Sequence, residues 1–188
     1  MGFSIPWIAI RGLEKHKLLE RFGLYDTGET EEYPESSICG TSIPDNTYLL
    51  CLRDCFHRFV TPEFLSAASK GCSILGCQVE EHIMASAAFY YRDGKRLWNV
   101  VHESDSGVDH LDTEGDIPDP FNEIRKAAVE NQRKEDLRER DPNEILGVDY
   151  IFDIPVRLAT ALTGYSHDRL EFSWGKPNYS KLEEGRLS

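Results

Sequence analysis

No uninterrupted run of about 18 apolar residues occurs in this chain of 188 residues, so no membrane-spanning helix is predicted. Positive charge is scarce: 21 Lys and Arg stand against 33 Asp and Glu, for a net charge of −12. Such a surface repels a phosphate backbone, which disfavours nucleic acid as a partner. The glycine spacing of a phosphate loop or a dinucleotide fingerprint is missing. Ser86 and Ser104 lack the glycine context of a nucleophile elbow. The first residues, MGFSIPWIAIRG, have neither a basic start nor a small-residue cleavage site, and Pro6 stands where a myristoylation signal needs Ser or Thr. A cytoplasmic location is therefore expected.

Cysteine is present but not in any metal pattern. The five residues are odd in number, and the last four read C-x3-C (Cys51, Cys55) and C-x4-C (Cys72, Cys77), looser than a zinc ribbon. Reduced, buried thiols are predicted, with neither a disulfide framework, a metal site nor a cofactor.

What the chain does have is 40% apolar residues with 11% aromatics, enough to bury a core. Strands are predicted over 5–11, 48–53 and 73–79, the last continuing through a bend or bulge near 80–82. Another short strand is predicted at 108–111. Helices are predicted at 14–22 (closed by Gly23), after Thr61-Pro62-Glu63, from Asp119-Pro120, and from an Asp153 cap to Gly164. The third helix turns wholly polar after Glu130, apart from Leu137, and is expected to be solvated there. Residues 26–46 read as a long polar loop. The pattern is β-α-β-α followed by a meander. It implies an α+β domain over residues 1–168, with one mixed, largely antiparallel sheet and about four helices. Residues 169–188 read as a tail that docks through Phe172 and Trp174.

The sharpest local signal is Asp93-Gly94 between two β-prone runs, a favoured two-residue hairpin turn. With those two residues as the loop, Arg92 pairs with Lys95, Phe89 with Trp98, Ala87 with Val100 and Ala85 with His102. The other face pairs Tyr90 with Leu97, Ser86 with Val101 and Met84 with Glu103. His82 and Glu103 then share a face, with Glu80 near, while His102 and Glu81 fall opposite. A His–carboxylate pair is what a general base needs, so His82, Glu103, Glu80, Glu81 and His102 are the candidate catalytic residues. A solvated sheet rim explains the same residues without chemistry. Small side chains at 85–88 leave room for a ligand above the sheet. Cys55, His57 and Asp54 are the residue types of a thiol nucleophile with its base, but neighbours in sequence rarely reach that geometry.

Three segments, MGFSIPWIAIRG, CQVEEHIMASAAFYYRDGKRLWNVVHE and DYIFDIPVRLATALTGYSHD, resemble a group of bacterial proteins of similar length for which no activity is known. The resemblance implies a bacterial, cytoplasmic, single-domain protein. No site carries over from it.

Charge is uneven. Residues 101–153 hold 16 Asp and Glu against 6 Lys and Arg, a balance of −10 that leaves −2 elsewhere. The expected function is a binding or regulatory module whose acidic stretch, with the 26–46 loop, engages a basic protein partner. The alternatives are a small hydrolase or metal-dependent enzyme centred on His82 and Glu103, and a self-associating protein that forms a homo-oligomer.

Overall fold

The computed structural model describes residues 4–138 and 148–185. In chain order it contains β1 (Trp7–Arg11), α1 (Lys15–Phe22), β2 (Leu24–Glu31), β3 (Ile38–Ile43), β4 (Thr47–Leu52), α2 (Pro62–Ala68) and β5 (Ser73–Glu80). There follow β6 (Ala85–Arg92), β7 (Lys95–Glu103), β8 (Asp112–Gly115), α3 (Pro120–Asp136), α4 (Asp153–Thr163) and β9 (Tyr179–Glu184). The strands form one open sheet in the order β2-β9-β3-β4-β1-β5-β6-β7-β8. The α+β class is as expected, but the sheet is antiparallel at every pairing rather than mixed. Helix α1 does not return the chain beside β1. It delivers it to the edge strand β2, and the β3–β4 hairpin brings it back as β1's neighbour.

Both faces of the central strands are buried. On one face Trp7, Ala9, Leu49, Cys51, Leu75 and Cys77 pack beneath α3 and α4. On the other, Ile8, Ile10, Leu50 and Ile74 meet Leu18 and Phe22 of α1 and Leu65 of α2. All five cysteines are free and buried, and Cys72 and Cys77 belong to opposite cores.

Several expectations are corrected. The 26–46 segment is mostly β2 and β3, joined to β4 across Asp45 and Asn46 at positive φ. It lacks an apolar pattern because β2 is an exposed edge and β3 buries small polar residues, such as Thr41. The bend near 80–82 is a full reversal that makes β5 and β6 a hairpin, with Met84 at φ 49°. The short strand is Asp112–Gly115 rather than 108–111. The polar half of α3 is docked, because Gln132 accepts from Tyr150 N–H (2.9 Å) and Glu135 lies buried; Leu137 is exposed. Asp153 gives no side-chain cap to α4; Asp149 takes the Ile151 and Phe152 N–H groups instead, each at 3.0 Å. Residues 169–188 contain β9, an interior strand. An aromatic ladder of Trp7, Tyr165, Phe172 and Trp174 fastens the segment before it, with Phe172 and Trp174 stacked at 4.8 Å.

The ring of Phe89 lies over Gly76, its partner on β5, where a Cβ would fall 2.1 Å from Phe89 Cε2. Gly76→Ala is expected to cost about 1–3 kcal/mol by overpacking, read as a lower urea midpoint with unchanged m. A change below about 0.5 kcal/mol, the size of an ordinary surface substitution, would show that the two strands are not locked this way.

Candidate functional site

The reversal at 93–94 is in place, with Asp93 at φ 49° and Gly94 at φ 83°. Arg92 pairs with Lys95 and Tyr91 with Arg96, but Tyr90 then pairs with Trp98, leaving Leu97 as an extra residue. This bulge lies against Gly115 of β8 (φ 83°), where a Cβ would meet the Leu97 carbonyl oxygen at 2.0 Å. Every later pairing therefore shifts by one: Ala88 meets Val100, Ala87 meets Val101, Ser86 meets His102 and Ala85 meets Glu103. Phe89 and Trp98 lie in opposite cores, so the expected Phe89–Trp98 pair does not form. Glu80 pairs with Ala85, which places Glu80 and Glu103 on the same face, one on either side of Ala85.

The five candidate residues do not gather into one site. His102 lies on the α3/α4 face, at 0% exposure, with Nε2 3.0 Å from Asp149 Oδ2. The contact is close, although the ring N–H is not well aligned along it. Its Nδ1–H donates to the His110 carbonyl (2.8 Å). With that proton committed, an unprotonated Nε2 would set a lone pair against a carboxylate, so the imidazolium is favoured. Burial pushes the His102 pKa down, yet the Asp149 contact and the His110 bond outweigh it and hold it above the ordinary value. Burial likewise opposes ionisation of Asp149, but His102 and the Phe152 and Ile151 N–H groups hold its pKa below the usual range. Asp149, which ties β7 to the start of α4, was not among the sequence candidates. Glu81 lies within electrostatic range of Asp153 and His167, near the same helix end.

On the other face, Glu80 accepts hydrogen bonds from the Ser4 hydroxyl and from His82 N–H, and its carboxylate lies 2.7 Å from His82 Nδ1. The Ser4 bond, helped by His82, keeps the Glu80 pKa low. His82 is 61% exposed, in the 81–84 turn. A serine relay needs the imidazole between hydroxyl and carboxylate; here the carboxylate is in the middle, so His82 does not face the Ser4 hydroxyl. Cys55 and His57 form no dyad: the thiol donates to Val79 O (3.4 Å), and His57 Nε2 lies 3.4 Å from Glu184. Burial pushes the Cys55 thiol pKa up, away from a thiolate. Among the described residues, no group of three or more His, Cys, Asp or Glu could hold a metal ion.

What this face does hold is a groove. Among the described residues no helix covers it beyond the α2 end, and two adjoining hollows of about 360 and 280 Å³ run along β5–β7. Both are lined by Cys55, Phe56, Gln78, Ala87 and Val101. Small Ala85 and Ala87 make the floor low. The wall is the 54–62 segment, held by Gln78 Nε2–H donating to Cys55 O (2.9 Å) and by Asp54 accepting from Phe56 N–H (2.9 Å). Phe56 (84% exposed) and Ile83 (55%) stand at the rim. Glu80 and Glu103 line one end, and the β8 register aims Asp112 and Glu114 to the same face, opposite Val101 and Asn99. Arg96 is neutralised by Glu114, and Asn99 Oδ1 is buried without a hydrogen-bond donor among the described residues.

No family model, no curated protein and no solved structure matches this chain.

The His102–Asp149 pair makes stability depend on pH. A raised imidazole pKa stabilises below its unfolded value of about 6.5, and this is lost as pH rises through the folded value; a lowered carboxylate pKa stabilises above about 3.9, and this is lost as pH falls. The pair therefore contributes most between roughly pH 4 and 6.5. His102→Gln strips Asp149 of its counter-charge and leaves it only the Ile151 and Phe152 N–H groups, and is expected to cost on the order of 3 kcal/mol at mildly acidic pH, and less at about pH 9. Denaturant titrations of both proteins at the two pH values check this; equal differences at both would mean that His102 is neutral in the fold.

Proposed function

We propose that the protein is a non-enzymatic binding module. Its groove on the uncovered face of β5–β7 receives a segment of a partner protein that presents Lys or Arg beside apolar anchors. The observation that carries this reading is the joining of an apolar floor and exposed Phe56 and Ile83 to a border of Glu80, Glu103 and Asp112, with Glu114 beyond them paired to Arg96. Apolar anchors would supply affinity by leaving water, about 25 cal/mol per Å² buried. The carboxylates would select for cations and speed encounter.

The net charge of −12 favours the same sign of partner over the whole surface. The resemblance to bacterial proteins adds a bacterial, cytoplasmic setting to this proposal and no activity. The hydrolase alternative has less support, because the Ser4 hydroxyl meets the Glu80 carboxylate and not the His82 imidazole.

A fluorescein-labelled peptide alternating leucine and lysine is the defined probe, with binding followed by anisotropy. Saturable binding is expected, weakening as salt rises toward about 0.15 M, where charges are screened beyond about 8 Å. Ala87→Trp, which fills the floor, and Glu103→Lys should each weaken it at least about tenfold (~1.4 kcal/mol). Glu20→Lys, on the exposed side of α1, should change it little. Equal losses for Glu103→Lys and Glu20→Lys would reduce the effect to bulk charge and remove the groove from the account.

A further inference from the structure

A second cavity, of about 270 Å³, lies on the opposite face of the sheet, at the end where α4 stops. Its floor is Ala9 and Leu75, register partners on β1 and β5. The single methyl of Ala9 leaves the hollow. One wall is the stacked pair Tyr90 and Trp98, with ring centroids 6.0 Å apart and planes within 20°. Pro118, Leu162 and Thr163 close the helix side.

Its mouth is polar in one particular way. Arg11 ends β1, with Thr47 and Ser73 its register partners on either side. Arg11 Nε–H donates to Thr47 Oγ1 (3.2 Å) and Nη2–H to the exposed Asp45 carboxylate (3.3 Å). Among the described residues neither Arg11 Nη1 nor the Ser73 hydroxyl has a hydrogen-bond partner, so both retain donors. Among the described residues no acidic side chain lines the cavity itself, and the one acid at its mouth is exposed Asp45, paired with Arg11, in a chain whose net charge is −12. A guanidinium on the rim of an aromatic-walled hollow matches a flat body with a carboxylate at one end, since the planar fork of Arg pairs well with carboxylate oxygens. The volume falls just below the usual 300–1,000 Å³ of small-molecule sites, which limits the occupant to a small molecule.

We propose that this cavity binds a small planar organic anion, an aromatic or conjugated carboxylate, with its ring against Tyr90 and Trp98 and its carboxylate on Arg11 and Ser73. The site is independent of the groove on the other face. Ala87→Trp leaves it intact.

Calorimetric titration of the full chain with cinnamate, and with the neutral isostere cinnamamide, tests the assignment. Cinnamate is expected to bind saturably, at least about tenfold tighter than the amide. Arg11→Met keeps the aliphatic stem of a largely exposed side chain, so folding is unaffected. It is expected to erase the preference for the acid while leaving the amide's affinity unchanged. Thr163→Trp, which crowds the helix side, should abolish binding of both. Equal affinity for acid and amide, an unchanged preference in Arg11→Met, or no saturable heat with millimolar cinnamate would each overturn the proposal.

Discussion

Helix coverage sets the limits of this structure. Nine strands about 4.8 Å apart make a sheet roughly 40 Å wide, whereas a helix with its side chains covers only about 10 Å. Two helices on each face therefore leave about half of that face to be covered by something else. On the α3/α4 face the Tyr165–Phe172–Trp174 ladder takes up part of the remainder, ahead of the last strand. On the α1/α2 face, among the described residues, the floor over β6 and β7 stays open beyond the 54–62 segment, with small Ala85 and Ala87 on it and no helix above. The groove is thus a consequence of how the four helices among the described residues are distributed over nine strands.

Electrostatics follow the same geometry. Three acids of the 101–153 stretch, Glu103, Asp112 and Glu114, sit on β7 and β8, at the border of the uncovered floor. At the edge they also oppose strand addition: all four residues of β8 are exposed, and two are acidic. Others in the stretch are structural. Asp149 joins buried His102 to the Ile151–Phe152 step that leads into α4, and Glu135, with Gln132 beside it, adds polar contacts that anchor the last turns of α3. One run of acidic sequence therefore divides into a solvated border and a set of buried fasteners.

The helices were readable because their signals are local: Thr61 before Pro62, Gly23 and Gly164 in the left-handed region, Pro120 at a first turn. The hairpin turn at 93–94 was readable for the same reason. Strand β2 was not, since an exposed edge needs no apolar alternation, and β3 hides behind Gly40, Thr41 and Ser42. The Pro44-Asp45-Asn46 triplet was the signal that could have marked the turn after it. The candidate site was half legible. Residue alternation correctly set His102 apart from Glu103, but the Leu97 bulge, invisible in sequence without its partner Gly115, decided their neighbours on β6. Asp149 was beyond reach because its contact with His102 joins positions 47 residues apart that no local pattern connects.

Two separate surfaces of different chemistry emerge, an acid-bordered groove on one face and a small cationic-mouthed cavity on the other. The central claim concerns the first. Mapping backbone amide chemical shifts while titrating the leucine–lysine peptide tests it most directly. The account predicts changes clustered at Cys55–Val60, Ala85–Phe89 and Asn99–Glu103, with Arg11, Trp98 and Thr163 unmoved. Shifts spread over the whole acidic surface, or confined to the α3/α4 face, would contradict it.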